Sequence, residues 1–161
     1  MKVELEIKNC KRKFKVHTKH GELKTPLFMP DATYGAITSV GSDDLRQSGV
    51  EALVTTTLHI EQKIGSDYLE KYGGLHKFMD FKNPILTDSG GYQVFSLIHR
   101  NKSKSNMITD AGCSFSAEAN GKFNFLSPEI SQQIQHKIGS DIRVVLDEPV
   151  IEDTSLAKIK R

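Results

Sequence analysis

Residues 84–97 read PILTDSGGYQVFSL, and they gather several groups able to do chemistry within a few positions. A short apolar run ends in Asp88, a carboxyl that can give or take a proton. Ser89 adds a hydroxyl. Gly90 and Gly91 let the backbone turn sharply and bring its N–H groups close to a flat ligand. Tyr92 offers a ring face to a heterocycle. A second apolar run, IRVVL, ends in Asp147 and Glu148, and a third, EALVT, is followed by Thr56 and His59. Carboxylates at neighbouring strand ends suit general acid–base work, which serves glycosidases, aldolases and many other classes, and spacing alone names no substrate. Each residue also has a plain structural use. Asp88-Ser89 can cap a helix, Gly90-Gly91 can make a tight turn, and Tyr92 and Phe95 can fill a core. His59 and His76 can be structural histidines, and Glu148 can cap or pair at the surface.

Positioning these groups is the task of the elements around them. VELEI and KFKVHT alternate as strands do, and KHGELKTP supplies turn residues before LFMP, so the chain opens as an antiparallel cap. Ser42 is placed to cap a short helix through Arg46, with Asp43 and Asp44 in its first turn and Gly49 as its stop. EALVTTT reads as a strand. Ser66 and Asp67 open a helix that Gly73-Gly74 ends, and PILT reads as a buried strand. Asn120-Gly121, between Phe115 and Phe123, is a hairpin signal. Ser127-Pro128-Glu129 starts a helix whose Ile130, Ile134 and Ile138 share a face and which Gly139 stops. IRVVL is a further strand. Strands alternating with helices predict a parallel α/β sheet, and the carboxyl ends of its strands deliver Thr56, His59, Asp88 and Asp147 to one rim.

Composition bounds the rest. The chain has 161 residues, 37% hydrophobic and 26% charged, with a net charge of +2. That fits one domain and no membrane span, since no apolar run approaches the ~20 residues a spanning helix needs. Cys10 and Cys113 are too few and too far apart for a disulfide framework or a C-x-x-C metal site, and a reducing cytoplasm is the expectation. Lysines and arginine crowd residues 8–24, and Arg100, Lys102 and Lys104 form a second basic cluster. Such patches suit phosphate backbones, and they equally suit a solvated strand face and loop.

The run PILTDSGGYQVFSL resembles the signature of tRNA-guanine transglycosylases, also called queuine tRNA-ribosyltransferases. HGELKTPLFMPDATYG, TTLHI, GGLHKFM, FNFLSPEISQQIQHKIGSDI and LDE agree in order and spacing, so the resemblance runs from about Phe14 onward. It implies a pentosyltransferase that exchanges guanine in a tRNA anticodon for a 7-deazaguanine base. It also implies a TIM (β/α)8 barrel with an N-terminal antiparallel sheet. The expected fold is a single domain over 1–161, with an antiparallel cap over 1–30 and the first barrel units over 31–161. By the resemblance Asp88 is the general acid/base, Ser89, Gly90 and Gly91 line the pocket, Tyr92 stacks on the base, and Asp147 accepts from its N–H edge. Thr56 and His59 complete the substrate side.

The sequence departs from the family in two short places: Thr56 stands where an asparagine is usual, and Pro149 follows LDE directly. It departs more in length. A TIM barrel takes ~250 residues, and the family's nucleophilic aspartate and its zinc ligands lie beyond Arg161 by the resemblance. The expectation is therefore an N-terminal fragment, ending in TSLAKIKR as a helix begins, that carries the base-binding half and no metal or cofactor of its own. It would work with tRNA, a free guanine or 7-deazaguanine base, and a missing C-terminal half or another copy of itself. Alternatives are a non-catalytic base- or tRNA-binding subunit, an inactive fragment, or, on the strand-end acids alone, a (β/α)-type hydrolase.

Overall fold

Alternating apolar and charged residues at the start form β1 (Lys2–Lys8), β2 (Lys11–Thr18) and β3 (Gly21–Lys24), an antiparallel sheet in that order. The register sets Leu5 opposite Phe14 and sets Val3, Val16 and Leu23 in one row, so the apolar residues share a face. The third strand is GELK, not the expected LFMP. The chain reverses at Lys19-His20, where Thr18 Oγ1 donates to the Gly21 carbonyl at 2.8 Å, and pairing resumes at once. The computed structural model describes residues 2–8, 11–100, 106–116 and 123–149.

Next comes α1 (Ser42–Gln47), capped by Gly41 and not by Ser42. Asp44 accepts the Gly41 N–H at 2.9 Å, which frees the Ser42 hydroxyl to donate to the Met79 carbonyl at 2.8 Å. β4 (Leu53–Thr56) runs straight into α2 (Thr57–Lys63), so Thr57, the last residue of EALVTTT, opens a helix and does not continue the strand. α3 (Ser66–Tyr72) begins after Gly65, not on a Ser66 cap, and ends as expected at Gly73 in a left-handed conformation. α4 (Leu75–Met79), β5 (Ile85–Asp88) and α5 (Gly91–Arg100) follow. β6 (Met107–Thr109), β7 (Gly112–Ser116) and β8 (Phe123–Leu126) make a second antiparallel sheet. The Asn120-Gly121 turn lies outside the described residues, but the strands on either side of it pair, with Ser116 opposite Phe123. α6 (Pro128–Ile138) starts on Ser127, whose Oγ accepts the Ile130 N–H at 3.2 Å, and stops at Gly139 as expected.

β9 (Ile142–Arg143) is shorter than the predicted IRVVL strand. Only the Val144 N–H continues the ladder, to the Thr87 carbonyl at 3.1 Å, and residues 144–149 leave the sheet. β9 is an edge among the described residues, so nothing on its far side holds Val144 and Val145 in line, and Val145 is 71% exposed. The parallel sheet has the order β4-β5-β9, and residues 30–32 extend it beside β4 through the Ala32 N–H to Val54 carbonyl bond and its reciprocal partner at Pro30. The fold is thus mixed α/β. Leu53 and Ile85 from the parallel strands pack with Leu45, Ile60, Leu69, Leu75, Met79 and Ile138 from the helices in one core. Leu58, Val94, Phe115 and Leu126 form a second core under the β6–β8 sheet.

Candidate functional site

Parallel pairing sets Thr56, the last residue of β4, opposite Asp88, the last of β5. The neighbouring helices begin at those same ends, so their unpaired N–H groups surround the carboxylate. Asp88 Oδ1 accepts from Thr57 N–H at the start of α2 and from Gly90 N–H just before α5, each at 3.1 Å, and Oδ2 accepts from Gln93 Nε2 at 3.3 Å. The capping use of Asp88 is therefore realised, for two helices at once. Burial nonetheless pushes the Asp88 carboxyl above the ordinary aspartate value, and the Thr57, Gly90 and Gln93 donors only partly offset it. A carboxyl raised in this way holds a proton nearer to neutral pH than a surface aspartate does.

Ser89, the next residue in the chain, holds the second acid. Its buried hydroxyl donates to Asp147 Oδ1 at 3.2 Å and accepts the Gly91 N–H at 3.2 Å. Its carbonyl accepts from Ser131 Oγ at 2.8 Å, and Ser131 accepts from Gln135 Nε2, so α6 fixes the loop from beneath. Thr87 Oγ1 donates to Gln135 Oε1 at 2.8 Å and closes that network under the sheet. Asp147 does not sit directly on a strand end as predicted. It lies on the irregular 144–149 segment and returns to the site because Gly91 leaves room. A Cβ on Gly91 would stand 2.6 Å from the Asp147 carbonyl oxygen.

Asp88, Ser89, Gly90, Gly91, Thr56 and Asp147 are thus brought together. Tyr92 is on the first turn of α5 with its side chain 68% exposed, open to a ligand face. His59 lies inside α2 and not at a strand end, and its ring meets Tyr34 at 5.2 Å in a tilted contact. Two residues that the sequence reading did not single out join the site. Thr57 supplies an N–H and a hydroxyl to Asp88, and Gln93 supplies its amide while its Oε1 is buried with no hydrogen-bond partner among the described residues. Gln93 stood inside the quoted motif, and the signal for it was its place on the first turn of the helix that follows Asp88.

Near the start, Lys2 pairs with Glu4 at 2.8 Å and Lys15 with Glu22 at 2.9 Å. Lys102 and Lys104 lie outside the described residues. Cys113 is a free, half-buried thiol. The expectation of no metal ligands considered the cysteines and the spacing of the histidines. Among the described residues one group has ligand chemistry, His20, His76 and Asp141, at the opposite end of β5 from Asp88. No helix among the described residues is long and apolar enough to cross a membrane.

Comparison with known proteins matches residues 8–161 to the family described as "Queuine tRNA-ribosyltransferase". Relatives of that name from Staphylococcus aureus strains JH9 and N315 are each 44% identical over 146 residues, covering 88% of this chain and 37% of the relative.

Proposed function

The chain belongs to the queuine tRNA-ribosyltransferase family, and from that premise we propose that it supplies the base-handling part of a tRNA-guanine transglycosylase. The carrying observation is that Asp88, pushed up by burial, is followed in the chain by Ser89, whose hydroxyl holds the more exposed Asp147, so two carboxyls of unlike environment come to one rim. In this reading Asp88, raised by burial, gives its proton to the leaving guanine as the N-glycosidic bond breaks. The carboxylate so formed takes the proton from the incoming 7-deazaguanine base. The ribosyl carbon passes meanwhile to a nucleophile that these 161 residues do not supply. Asp147 accepts from adjacent N–H groups on the base edge, to which a carboxylate offers paired acceptors. Tyr92 covers the ring face. A base held there has left the stack of its RNA loop.

The chain spans 37% of the length of the curated relatives it matches, and the rest of the reading follows from that. Residues 30–32, β4, β5 and β9 lie parallel in chain order, which supports their being the first staves of a TIM barrel, with 1–30 as the cap and 31–161 as the first barrel units. The nucleophile and the family's zinc site would come from a further length of polypeptide, and the open sheet would be covered by that length or by another copy of the chain, acting on tRNA in the cytoplasm. The direct test is a titration of the chain with guanine and 7-deazaguanine. Saturable binding is expected, weakened roughly tenfold to a hundredfold by Asp147→Ala, which leaves base donors without partners at ~1–3 kcal/mol each. Tyr92→Phe should leave it unchanged and Tyr92→Ala should weaken it. A folded chain with no affinity for either base, or indifference to Asp147→Ala, would overturn the assignment.

A further inference from the structure

Asp141 precedes β9 and its side chain is 0% exposed. Both of its oxygens are held by backbone. The His20 N–H donates to Oδ1 at 3.2 Å and the Ile85 N–H donates to Oδ2 at 3.0 Å. Two imidazoles converge on the same carboxylate from different parts of the chain. His20 Nδ1, in the β2–β3 turn, is 2.9 Å from Oδ1, and His76 Nε2, on α4, is 3.0 Å from Oδ2. The His76 side chain is only 11% exposed, and its Nε2 is buried and off the line a hydrogen bond to Asp141 needs. One ligand atom from each residue lies within 4.8 Å of the others.

We infer that His20, His76 and Asp141 form a binding site for a divalent transition-metal ion of the Zn²⁺ class. Two imidazole nitrogens and one carboxylate oxygen are the donor set such ions prefer over Mg²⁺ or Ca²⁺, which take oxygen. The backbone N–H groups of His20 and Ile85 orient the carboxylate as supporting partners do in metal sites. His20 and Asp141 line a cleft of about 550 Å³ together with Lys2, His17, Lys19, Gly139, Ser140 and Arg143, and an ion would approach from it; His76 is not among the lining residues. The C-terminal end of α6, at Gly139, turns the negative end of its dipole toward that cleft. Lys19 and Arg143 oppose a cation there, so the ligand bonds and not the general field must hold the ion. The rings are stacked with centroids 3.6 Å apart and 19° between planes, so they would have to turn for both in-plane lone pairs to meet one ion.

The ion's place sets its role. Asp141 grips Ile85 at the first residue of β5 and Asp88 is its last, so the strand itself, about 10 Å from first residue to last at ~3.3 Å per residue, separates the site from the acid–base residue. It is a staple joining the first antiparallel sheet to α4 and to the amino ends of the parallel strands, and it takes no part in the chemistry.

The test is a titration of the metal-stripped 161-residue chain with Zn²⁺, repeated with Co²⁺ as a spectroscopic probe. One equivalent should bind, raise the unfolding temperature, and give Co²⁺ ligand-field absorption. His20→Ala and His76→Ala should each raise the dissociation constant by at least the roughly 10–100-fold that loss of a mere supporting partner costs. His136→Ala, an exposed histidine on α6, should leave binding unchanged. Because the two variants also remove contacts to Asp141, imidazole ¹⁵N shifts of the unaltered chain on adding Zn²⁺ report the same ligands directly. No stoichiometric binding, or binding without shifts at His20 and His76, would overturn the site and leave a hydrogen-bonded staple only.

Discussion

Asp88 accepts N–H groups from two helix starts while its burial opposes the charge those bonds favour. A carboxyl raised above its unfolded value favours folding of the protonated form. Its full contribution is therefore present below about pH 4, the ordinary aspartate range, and is lost as pH rises through the folded value. Asp88→Asn removes that dependence. The new amide keeps an acceptor for Thr57 and Gly90, and its N–H₂ can meet Gln93 Oε1, which has no partner among the described residues, once the Gln93 amide turns over. Stability at pH 7 should be equal or higher by up to ~1 kcal/mol, with the difference shrinking toward pH 4. Thermal melts at the two pH values read it directly. In an enzyme completed by the remaining family sequence, the same variant should lower base exchange by about 10²–10⁴-fold, since an amide cannot protonate a leaving base. Base affinity should change less. A variant that lost affinity and kept its rate would give Asp88 the reading role and not the proton.

Among the elements, the join between α5 and residues 144–149 is the one on which the site depends most closely. Gly91 opens α5 against the Asp147 backbone, and the neighbour a Cβ would meet at 2.6 Å is a carbonyl oxygen, not a flexible side chain. Gly91→Ala should therefore push the segment away, lower stability by about 1–3 kcal/mol, and weaken base binding by displacing Asp147. Chemical denaturation paired with a base titration checks both effects. Unchanged values in both would mean the 144–149 segment yields freely. The start of α6 is fixed in a different way. Ser127 caps it locally, so Ser127→Ala should cost about 1 kcal/mol in the same denaturation experiment, with base affinity moving less than in Gly91→Ala.

For the whole molecule, the parallel sheet has β9 at an edge among the described residues, with Val145 exposed beyond it. The first antiparallel sheet turns Val3, Leu5 and Ile7 outward. Covalent exchange needs a nucleophile and a proton donor together, and Asp88 cannot serve as both in one step. The 161 residues by themselves are therefore expected not to exchange labelled guanine into tRNA. Activity is expected to appear when the remaining family sequence is supplied, joined or in trans. The assay is incorporation of radiolabelled guanine into tRNA with and without that addition. Robust turnover by this chain alone would make Asp88 the nucleophile and reverse the assignment of its role.

Local signals were enough for what is decided locally. The α6 start at Ser127-Pro128-Glu129 and the glycine stops at Gly73 and Gly139 follow from caps and backbone freedom, which neighbours in sequence settle. The PILT strand ending in Asp88, and the antiparallel β1–β2 pair, follow from alternation and apolar runs. The motif around Asp88 also named the family on sight. Only tertiary structure decided the rest. α2 begins at Thr57 because a carboxylate thirty-one residues away receives its first N–H, and nothing in TTLHI announces that. β9 stops at Arg143, with no strand beyond it among the described residues, although IRVVL has the composition of a full strand. His20, His76 and Asp141 meet because a hairpin turn, a short helix and a strand entry reach the same end of β5. Convergence over 121 residues of chain is a property of packing, and spacing along the sequence does not carry it.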